Sequence, residues 1–515
     1  MSGSRSRSTK AAWCRCFPRA RSPMRPDQDT VRGWWVTLVL TAIAAITRFW
    51  DLGHPTDGGT PVFDEKYYSA QAWEMLTNGM GIEDDQAFAV VVHPPVGKLM
   101  IAAGEALFGF GPWGWRFSAA VAGTVLVLLV IRIVRRLARS TMIGAIAGIL
   151  MIADGVSFVQ SRIGMLDIFL ALFVTAAFGC LMVDRDDVRA RMAAAAAAGR
   201  TTLSPFGPRL GVRWWRFGAG LLLGLACGTK WSGMYFLIFF LAMSLAFDAV
   251  ARHAHGVRRP WLGAIVRDLI PSGVALGAVA LAVYLASYGG WFASETGIER
   301  YEVGNGVSRG GFFSFVPDAL RSLWFNQASI MNFHVHLTNS AGYHHQWESK
   351  PWSWPMGLRP MLYYFAQPGE ATGCGQPSCV HAVMLVGTPA IWWLAIPVLG
   401  WAIWRAITRR DWRYSAVLTA YGAAWLPWFA ALDRQMYFFY ATAMAPFLIM
   451  LLALALGEIL GRATEPSERR TVARLLVCLY LGLVVADFAW LYPILTGLPI
   501  TPATWSYELW LPSWQ

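Results

Sequence analysis

The chain has 515 residues, of which 56% are apolar and only 14% are charged. Soluble domains carry roughly 25% charged residues, so this composition excludes a large soluble domain and indicates a polytopic membrane protein. The formal net charge of +12 is compatible with nucleic-acid binding, but the arginines fall in short blocks between apolar segments, as they do in cytoplasmic loops of membrane proteins. We therefore expect no nucleic-acid partner.

The chain opens with a basic segment and continues with apolar runs. Residues 1–33 combine eight Lys and Arg with Ser and Pro, which predicts a disordered cytoplasmic tail without a cleavable signal peptide. A membrane span needs about 20 apolar residues. The rest of the chain offers eleven candidates, at 34–50, 115–134, 142–159, 165–183, 214–228, 231–247, 269–288, 382–404, 414–432, 436–456 and 472–491.

The arginine distribution orients these spans. With the N-terminus in the cytoplasm, every Arg-rich connection falls on the cytoplasmic side, as the positive-inside rule requires, and the C-terminus lies outside. The apolar stretch 99–110 is only about 12 residues long, and counting it as a span would move the next Arg-rich loop outside. We interpret it as a short helix at the outer interface.

These observations predict an all-α polytopic protein of the plasma membrane, with about eleven transmembrane helices, interfacial helices in the first external loop and no soluble β domain. After the tail we expect a catalytic membrane module at 34–288, which includes an external loop at 51–114, then a large external loop at 289–381 and a C-terminal membrane module at 382–515. Cys374 and Cys379 lie in the large loop. The sequence is compatible both with an external disulfide between them and with free thiols.

The first external loop carries the strongest candidates for chemistry. It contains the adjacent carboxylates Asp64 and Glu65, and the segment HPPVGK with His93 and Lys98. Polar residues beside lipid are costly, which makes this loop a candidate functional site. Asp64 suits a general base or the N-cap of a following helix, and the sequence leaves both interpretations open. The predicted topology brings further polar residues to the same outer layer, namely Arg116, Arg162, Asp167, Lys230 and Arg434.

Cations at span ends either extend to the interface along lipid or bind a phosphate. The tight turn GTKWSG favours a phosphate near Lys230. In the large loop, His334, His336, His344 and His345 raise the question of a metal, but such pairs are weak signals without carboxylates at matching spacing. We expect substrate hydrogen bonding or aromatic packing there, with no metal and no cofactor.

Seven segments taken in order resemble the protein O-mannosyltransferase family in its actinobacterial form. They are FDEKYY, HPPVGKLMIAAGEALFG, GWRFSA, DGVSFVQSRIGMLDIF, CGTKWSG, ESKPWSWPMGLRP and DRQMYFFYATAMAPF. The resemblance covers most of the chain, from about Thr47 to the C-terminus. The family belongs to the membrane-embedded C-type glycosyltransferases, which move mannose from a polyprenyl-phosphate carrier to Ser or Thr of proteins that cross the membrane.

The resemblance implies a role for each matching residue. Asp64 would be the general base of an inverting displacement, and Glu65 would position the acceptor. Arg116 and Lys230 would lie near the donor phosphate, with Arg162 and Asp167 close to the site. The implied partners are the lipid-linked mannose donor, membrane lipids, a Ser/Thr-rich acceptor polypeptide and the secretion channel that delivers it.

Two alternatives remain at this point. One is a related transferase that acts on a glycolipid or lipoglycan acceptor. The other is a transporter of lipid-linked sugars, against which the absence of paired, broken helices in repeated halves counts.

Overall fold

The computed structural model describes residues 31–78, 92–366, 371–461 and 466–515. Within these ranges the chain is helical apart from one two-stranded hairpin. The predicted tail, apart from its last residues, lies outside the described part.

Twelve α-helices form the first part of the described chain. They are α1 (Val31–Phe49), α2 (Glu65–Thr77), α3 (Val96–Phe108), α4 (Pro112–Ala138), α5 (Thr141–Ile152), α6 (Gly155–Gln160), α7 (Asp167–Ala197), α8 (Trp214–Thr229), α9 (Gly233–Ala254), α10 (Pro260–Ser272), α11 (Val279–Ser287) and α12 (Gly289–Ala293). A π-helical segment at Gly273–Ala278 joins α10 to α11, so that Pro260–Ser287 runs as one helix.

The second part adds the hairpin and seven helices. In chain order these are α13 (Asp318–His336), β1 (Met361–Phe365), β2 (Ala382–Leu385), α14 (Pro389–Trp392), α15 (Ala395–Thr408), α16 (Trp412–Trp425), α17 (Ala445–Leu460), α18 (Ser467–Thr496) and α19 (Pro502–Glu508). The strands are antiparallel, with Met361 opposite Leu385 and Phe365 opposite Ala382.

Six helices in the described ranges are long and apolar enough to cross a membrane. They are Pro112–Ala138, Asp167–Ala197, Gly233–Ala254, Pro260–Ser287, Pro389–Thr408 and Ser467–Thr496. Thr141–Ile152 and Ala445–Leu460 are shorter apolar helices. The predicted class of helical polytopic membrane protein is confirmed, whereas the number of eleven spans is not. The boundaries of the predicted domains stay a prediction, as does the interfacial location of the helix at 99–110, which is α3.

Several of the predicted spans are not continuous α-helices. Those at 414–432 and 436–456 each include a 3-10 segment, and two others are interrupted by a cap or a strand. Asp154 splits the span at 142–159, because its carboxylate accepts a hydrogen bond from the Ser157 amide and starts a separate helix, α6. The span at 382–404 begins as strand β2, whose four residues are all buried. A short, fully buried apolar run has no periodicity that separates a strand from a helix, which is why the sequence alone assigned it to a span.

Buried ion pairs tie α7, α8 and α9 together just past the middle of α7, whose first residue is Asp167. Asp184 and Asp248 both accept hydrogen bonds from Arg213 and from Arg216, and all four side chains are buried. This pairing explains why an arginine is tolerated within the apolar segment of α8. We call these four residues the α7–α9 ion cluster.

Glycines allow α3 and α4 to pack closely where α3 ends and α4 begins. A Cβ atom at Gly104 would come within 2.3 Å of the Gly114 carbonyl oxygen, and one at Gly114 within 2.0 Å of the Gly109 oxygen. Helices α3 and α4 therefore approach each other backbone to backbone. This contact fixes the last turns of α3 against the start of α4, which carries Arg116.

Candidate active site

Glu65 is fully buried, and both of its carboxylate oxygens are occupied. Oε1 accepts hydrogen bonds from Arg116 Nε at 2.8 Å and from the Gly164 amide at 2.7 Å. Oε2 accepts from Arg116 Nη2 at 2.9 Å and from the Val62 amide at 3.0 Å. Glu65 thus joins three separate parts of the chain, and its oxygens have little capacity left for an acceptor substrate.

Arg116 completes the same network from α4. Its Nη1 donates to the Leu52 carbonyl at 3.1 Å and its Nη2 to the Pro55 carbonyl at 2.8 Å, in addition to the two bonds to Glu65. Its side chain is buried. Since Nε, Nη1 and Nη2 all have protein acceptors, this geometry favours a guanidinium that holds the first external loop over one that binds a lipid phosphate.

Asp64, the neighbour of Glu65, lies in a different environment. It occupies the residue before α2, but its side chain makes no capping hydrogen bond. Among the described residues no group donates a hydrogen bond to its carboxylate. Burial raises the pKa of Asp64 to about 6, Asp167 adds to the increase, and Lys230 and Lys66 oppose it. The residue therefore presents a half-buried carboxylate whose acceptor positions are open.

The backbone immediately before Asp64 is unusual. Phe63 has a φ of +51°, a conformation that is costly for a bulky side chain and is typically retained at functional sites. The Phe63 ring stacks on Tyr363 of β1 at a centroid distance of 4.9 Å and packs edge-on against Phe439 at 6.3 Å. These two rings hold Phe63 in the strained conformation, which sets the direction of the chain into Asp64.

Lys230 and Asp167 form a buried ion pair in which Nζ lies 2.9 and 3.0 Å from the two carboxylate oxygens. Asp167 is the first residue of α7, and Lys230 directly follows α8. The ammonium group also lies 5.3 Å from the ring centroid of Phe439 and 5.4 Å from that of Tyr440. The positive charge of Lys230 also lowers the pKa of Asp64, against the larger effect of burial.

Arg434, His334 and His93 extend this cationic side of the site. Arg434 Nη2 donates to His334 Nδ1 at 3.0 Å, and His334 Nε2 donates to the Val92 carbonyl at 2.9 Å. His93 stacks on His334 with ring centroids 5.6 Å apart. Burial lowers the pKa of His334 to about 4 and that of His93 well below its ordinary value, and Lys230 lowers both further. Both imidazoles are therefore neutral hydrogen-bonding groups.

The remaining predicted cations lie in supporting positions. Arg162 is buried and donates to backbone carbonyls at the end of α1, including those of Arg48 and Asp51, each at 3.0 Å. These carbonyls lack helical partners, so that Arg162 acts as a cap for α1. Lys98 is fully buried on α3. No group of three or more His, Cys, Asp or Glu side chains that could hold a metal occurs within the part of the chain the structure describes.

The structure thus separates the predicted residues into two layers. The open layer contains Asp64, Asp167, Lys230, His93, His334 and Arg434, and the supporting layer contains Glu65, Arg116 and Arg162. Sequence reasoning missed the aromatic wall of the site, formed by Phe63, Tyr68, Tyr363, Phe439 and Tyr440. Two motifs gave a signal for this wall, because FDEKYY contains Phe63 and Tyr68, and DRQMYFFY places Phe439 and Tyr440 just after Arg434. Gln160, which the predicted topology also puts in the outer layer, donates to the Tyr363 hydroxyl at 2.9 Å, and this partner was not predicted.

Comparisons with known proteins agree along the chain. A family model for dolichyl-phosphate-mannose-protein mannosyltransferases matches residues 111–255, and one for the C-terminal four TMM region of protein-O-mannosyltransferase matches residues 319–514. A polyprenol-phosphate-mannose–protein mannosyltransferase of Mycobacterium tuberculosis is 60% identical over 487 residues, which cover 95% of this chain and 93% of that protein. The protein of the same name in Corynebacterium glutamicum is 41% identical over 93% of this chain and 92% of its own length.

A solved structure shares the fold. The S. cerevisiae protein O-mannosyltransferase complex bound to the sugar donor matches with a TM-score of 0.69 over 94% of this chain and 93% of that chain, at 14% sequence identity. At this identity the match concerns the arrangement of the helices.

Proposed function

Because this chain belongs to the protein O-mannosyltransferase family, we propose that it transfers mannose from polyprenyl-phosphate mannose to Ser or Thr hydroxyls of secreted or membrane proteins. The names of its close relatives support the donor and the protein acceptor. The observation that carries the chemical part is the Asp64 carboxylate, which is half-buried, accepts no hydrogen bond from the described residues and feels the charges of Lys230 and Asp167.

In this mechanism Asp64 accepts the proton of the acceptor hydroxyl while the hydroxyl oxygen attacks C1 of mannose. The new bond joins that oxygen to C1, and the bond from C1 to the phosphate oxygen breaks with its electron pair on the phosphate. A positioned general base contributes typically about 10²–10⁴-fold to the rate. The lipid phosphate leaves as an ion, so no general acid is needed, and a single displacement inverts the anomeric centre.

Negative charge develops on the leaving phosphate, and cations that are already in position stabilise it without rearrangement. Lys230 and Arg434 are the best placed of the predicted group, since both lie in the open layer and Arg434 Nε makes no hydrogen bond while buried. The neutral His93 stacks on His334 beside them, and His334 positions Arg434, because its two ring nitrogens bind Arg434 and the Val92 carbonyl. We assign Arg116 and Arg162 positioning roles, because their guanidinium groups bind protein acceptors. Lys98 stays a predicted cation on the donor side.

We place the site on the outer face of the plasma membrane, with a cytoplasmic N-terminus and an external C-terminus. The Arg-rich connections support this orientation. The bond between Cys374 and Cys379 supports an oxidising compartment for the large loop, because disulfides persist outside the cytosol. In this location the acceptor would arrive from the secretion channel, which we retain as a proposed partner.

The product distinguishes this function from transfer to a lipid. Membranes that contain the chain would be supplied with labelled polyprenyl-phosphate mannose, a Ser/Thr-rich peptide and extracted glycolipids. We expect alkali-labile, α-linked label in the peptide. Label on the added glycolipids, separated by chromatography from the unreacted labelled donor, with none in the peptide would identify the glycolipid transferase instead, and a matched peptide with Ala at every Ser and Thr controls for adsorption.

A further inference from the structure

Helix α13, in the large external loop, exposes an apolar face. The side chains of Leu320, Trp324, Met331 and Val335 are all exposed, with Trp324 at 78%. Ala328, which is also exposed, completes the row. The spacing of four, four, three and four residues places all five side chains on one side of a helix. A helix that faced water would carry polar residues there.

An adjoining side of α13 packs against the end of the helix Pro260–Ser287. Leu323 forms a buried cluster with Tyr288 and Trp291. Gln327 accepts a hydrogen bond from the Tyr284 hydroxyl and donates one to the Tyr288 hydroxyl at 3.1 Å. Tyr and Trp are enriched where a membrane meets water, so this contact attaches α13 at the end of an apolar membrane helix.

A loop before α13 continues the apolar face. Phe312, Phe313 and Phe315 are exposed, with Phe312 at 84%, and their rings contact one another. The neighbouring Arg309 is exposed as well. Exposed aromatic side chains next to a basic residue are typical of segments that insert into the headgroup region of a bilayer.

Polar side chains lie along the edge of the apolar face that is away from the contact with Tyr288 and Trp291. Asp318, Asn332 and His336 are exposed and follow the helical edge between the apolar face and the buried face. A helix at an interface has this pattern, in which one face contacts the acyl boundary and a polar edge contacts water. The membrane helix below exposes its own apolar side chains, among them Ile270 and Leu281.

We propose that α13 and the loop 312–315 dock on the outer leaflet of the lipid bilayer, as a continuation of the lipid-facing surface of Pro260–Ser287. Lipid is the occupant because α13 is attached at the end of a membrane helix, and because that helix exposes large apolar side chains of its own, as helices in contact with lipid do. His334 lies on α13 and binds Arg434. Docking therefore sets the depth of this side of the candidate site relative to the lipid-linked donor.

The test uses the full chain in nanodiscs of phosphatidylcholine and phosphatidylglycerol. The photocrosslinker p-benzoylphenylalanine replaces Trp324 in one variant and Asn332 in another, so that the same probe reports from the apolar face and from the polar edge of one helix. After irradiation, mass spectrometry counts lipid adducts per chain. We expect at least a tenfold excess of lipid adducts at position 324.

A third variant has the probe at Met331, also on the apolar face. It replaces the variant at 324 in the comparison if that variant elutes differently from the parent protein on size-exclusion chromatography. Lipid adducts at 331 in the same excess over 332 would support docking. Equal lipid labelling on the face and on the edge would overturn it. Adducts from the face to a second copy of the chain would overturn it too, since they would identify a protein interface.

Discussion

At the scale of single residues, two neighbouring carboxylates have different environments. Glu65 has four hydrogen bonds from the protein, whereas Asp64 has none from the described residues. The sequence predicted that the pair is important, but it could not divide the roles in this way. The partners of Glu65 lie 51 and 99 residues away at Arg116 and Gly164, and no spacing in the sequence reveals such contacts.

The first prediction concerns pH. Asp64 must be ionised to accept a proton, and burial raises its pKa to about 6. We therefore expect kcat/KM to rise with pH up to about 6 and to level off above it, falling about tenfold per pH unit below. Initial rates at low acceptor peptide concentration, measured from about pH 4.5 to 8 with donor binding as the control, check this. A profile without a change between about pH 5 and 7 would assign the proton to another group.

The second prediction concerns Arg116. Because its guanidinium bridges Glu65 and two carbonyls, a lysine cannot replace this planar set of bonds. We expect Arg116→Lys to lower kcat by at least about tenfold while KM for the donor changes little, and Glu65→Gln to act in the same direction. Initial rates against donor concentration in nanodiscs provide both constants. A rise in the donor KM with unchanged kcat would restore the predicted phosphate contact.

At the scale of elements, the sequence predicted the helices best where they are long and apolar. The limits of α4, α7 and α18 enclose the predicted spans at 115–134, 165–183 and 472–491, apart from the first two residues of the second. The prediction from the sequence failed for β2, because a short buried run has no pattern that separates a strand from a helix. The strand is stabilised by pairing with β1 across 16 intervening residues, and this tertiary contact decides its conformation.

The third prediction concerns the α7–α9 ion cluster. Removing one member of a buried ion pair leaves an uncompensated charge, at a cost of roughly 3–5 kcal/mol. We expect Arg216→Ala to lower the midpoint of thermal unfolding in nanodiscs markedly. The exposed Arg200 provides the control, since Arg200→Ala should leave the midpoint within about 1 °C of the parent value. Equal midpoints for the two variants would show that the cluster contributes little.

At the scale of the whole molecule, polar residues gather at two ends. One end contains the candidate site, and the other contains the α7–α9 ion cluster, with the length of α7 between Asp167 and Asp184 separating them. The sequence predicted the first group from topology. The sequence did not predict the ion pairs of the α7–α9 ion cluster, because the Arg-rich loops indicate only which side of the membrane is cytoplasmic.

The fourth prediction concerns orientation. Alkaline phosphatase, which is active only outside the cytoplasm, would be fused after Arg200, after Arg258, within the large loop at Gly373 and after the C-terminus. The first two fusions should be inactive and the last two active, since the positive-inside rule puts both arginine sites in the cytoplasm. A β-galactosidase series at the same sites gives the complementary signal. An inactive phosphatase at the C-terminus would show that a span was miscounted.

The role of Asp64 as the base of protein mannosylation is tested most directly by one comparison. Asp64→Asn keeps the size of the side chain and removes the charge, so the parent and the variant would be purified in nanodiscs and given labelled polyprenyl-phosphate mannose and a Ser/Thr-rich peptide. The account predicts that the variant binds the donor as the parent does but transfers mannose to the peptide at least about 10²-fold more slowly. Transfer at the parental rate would contradict it, because the proton would then go to another group.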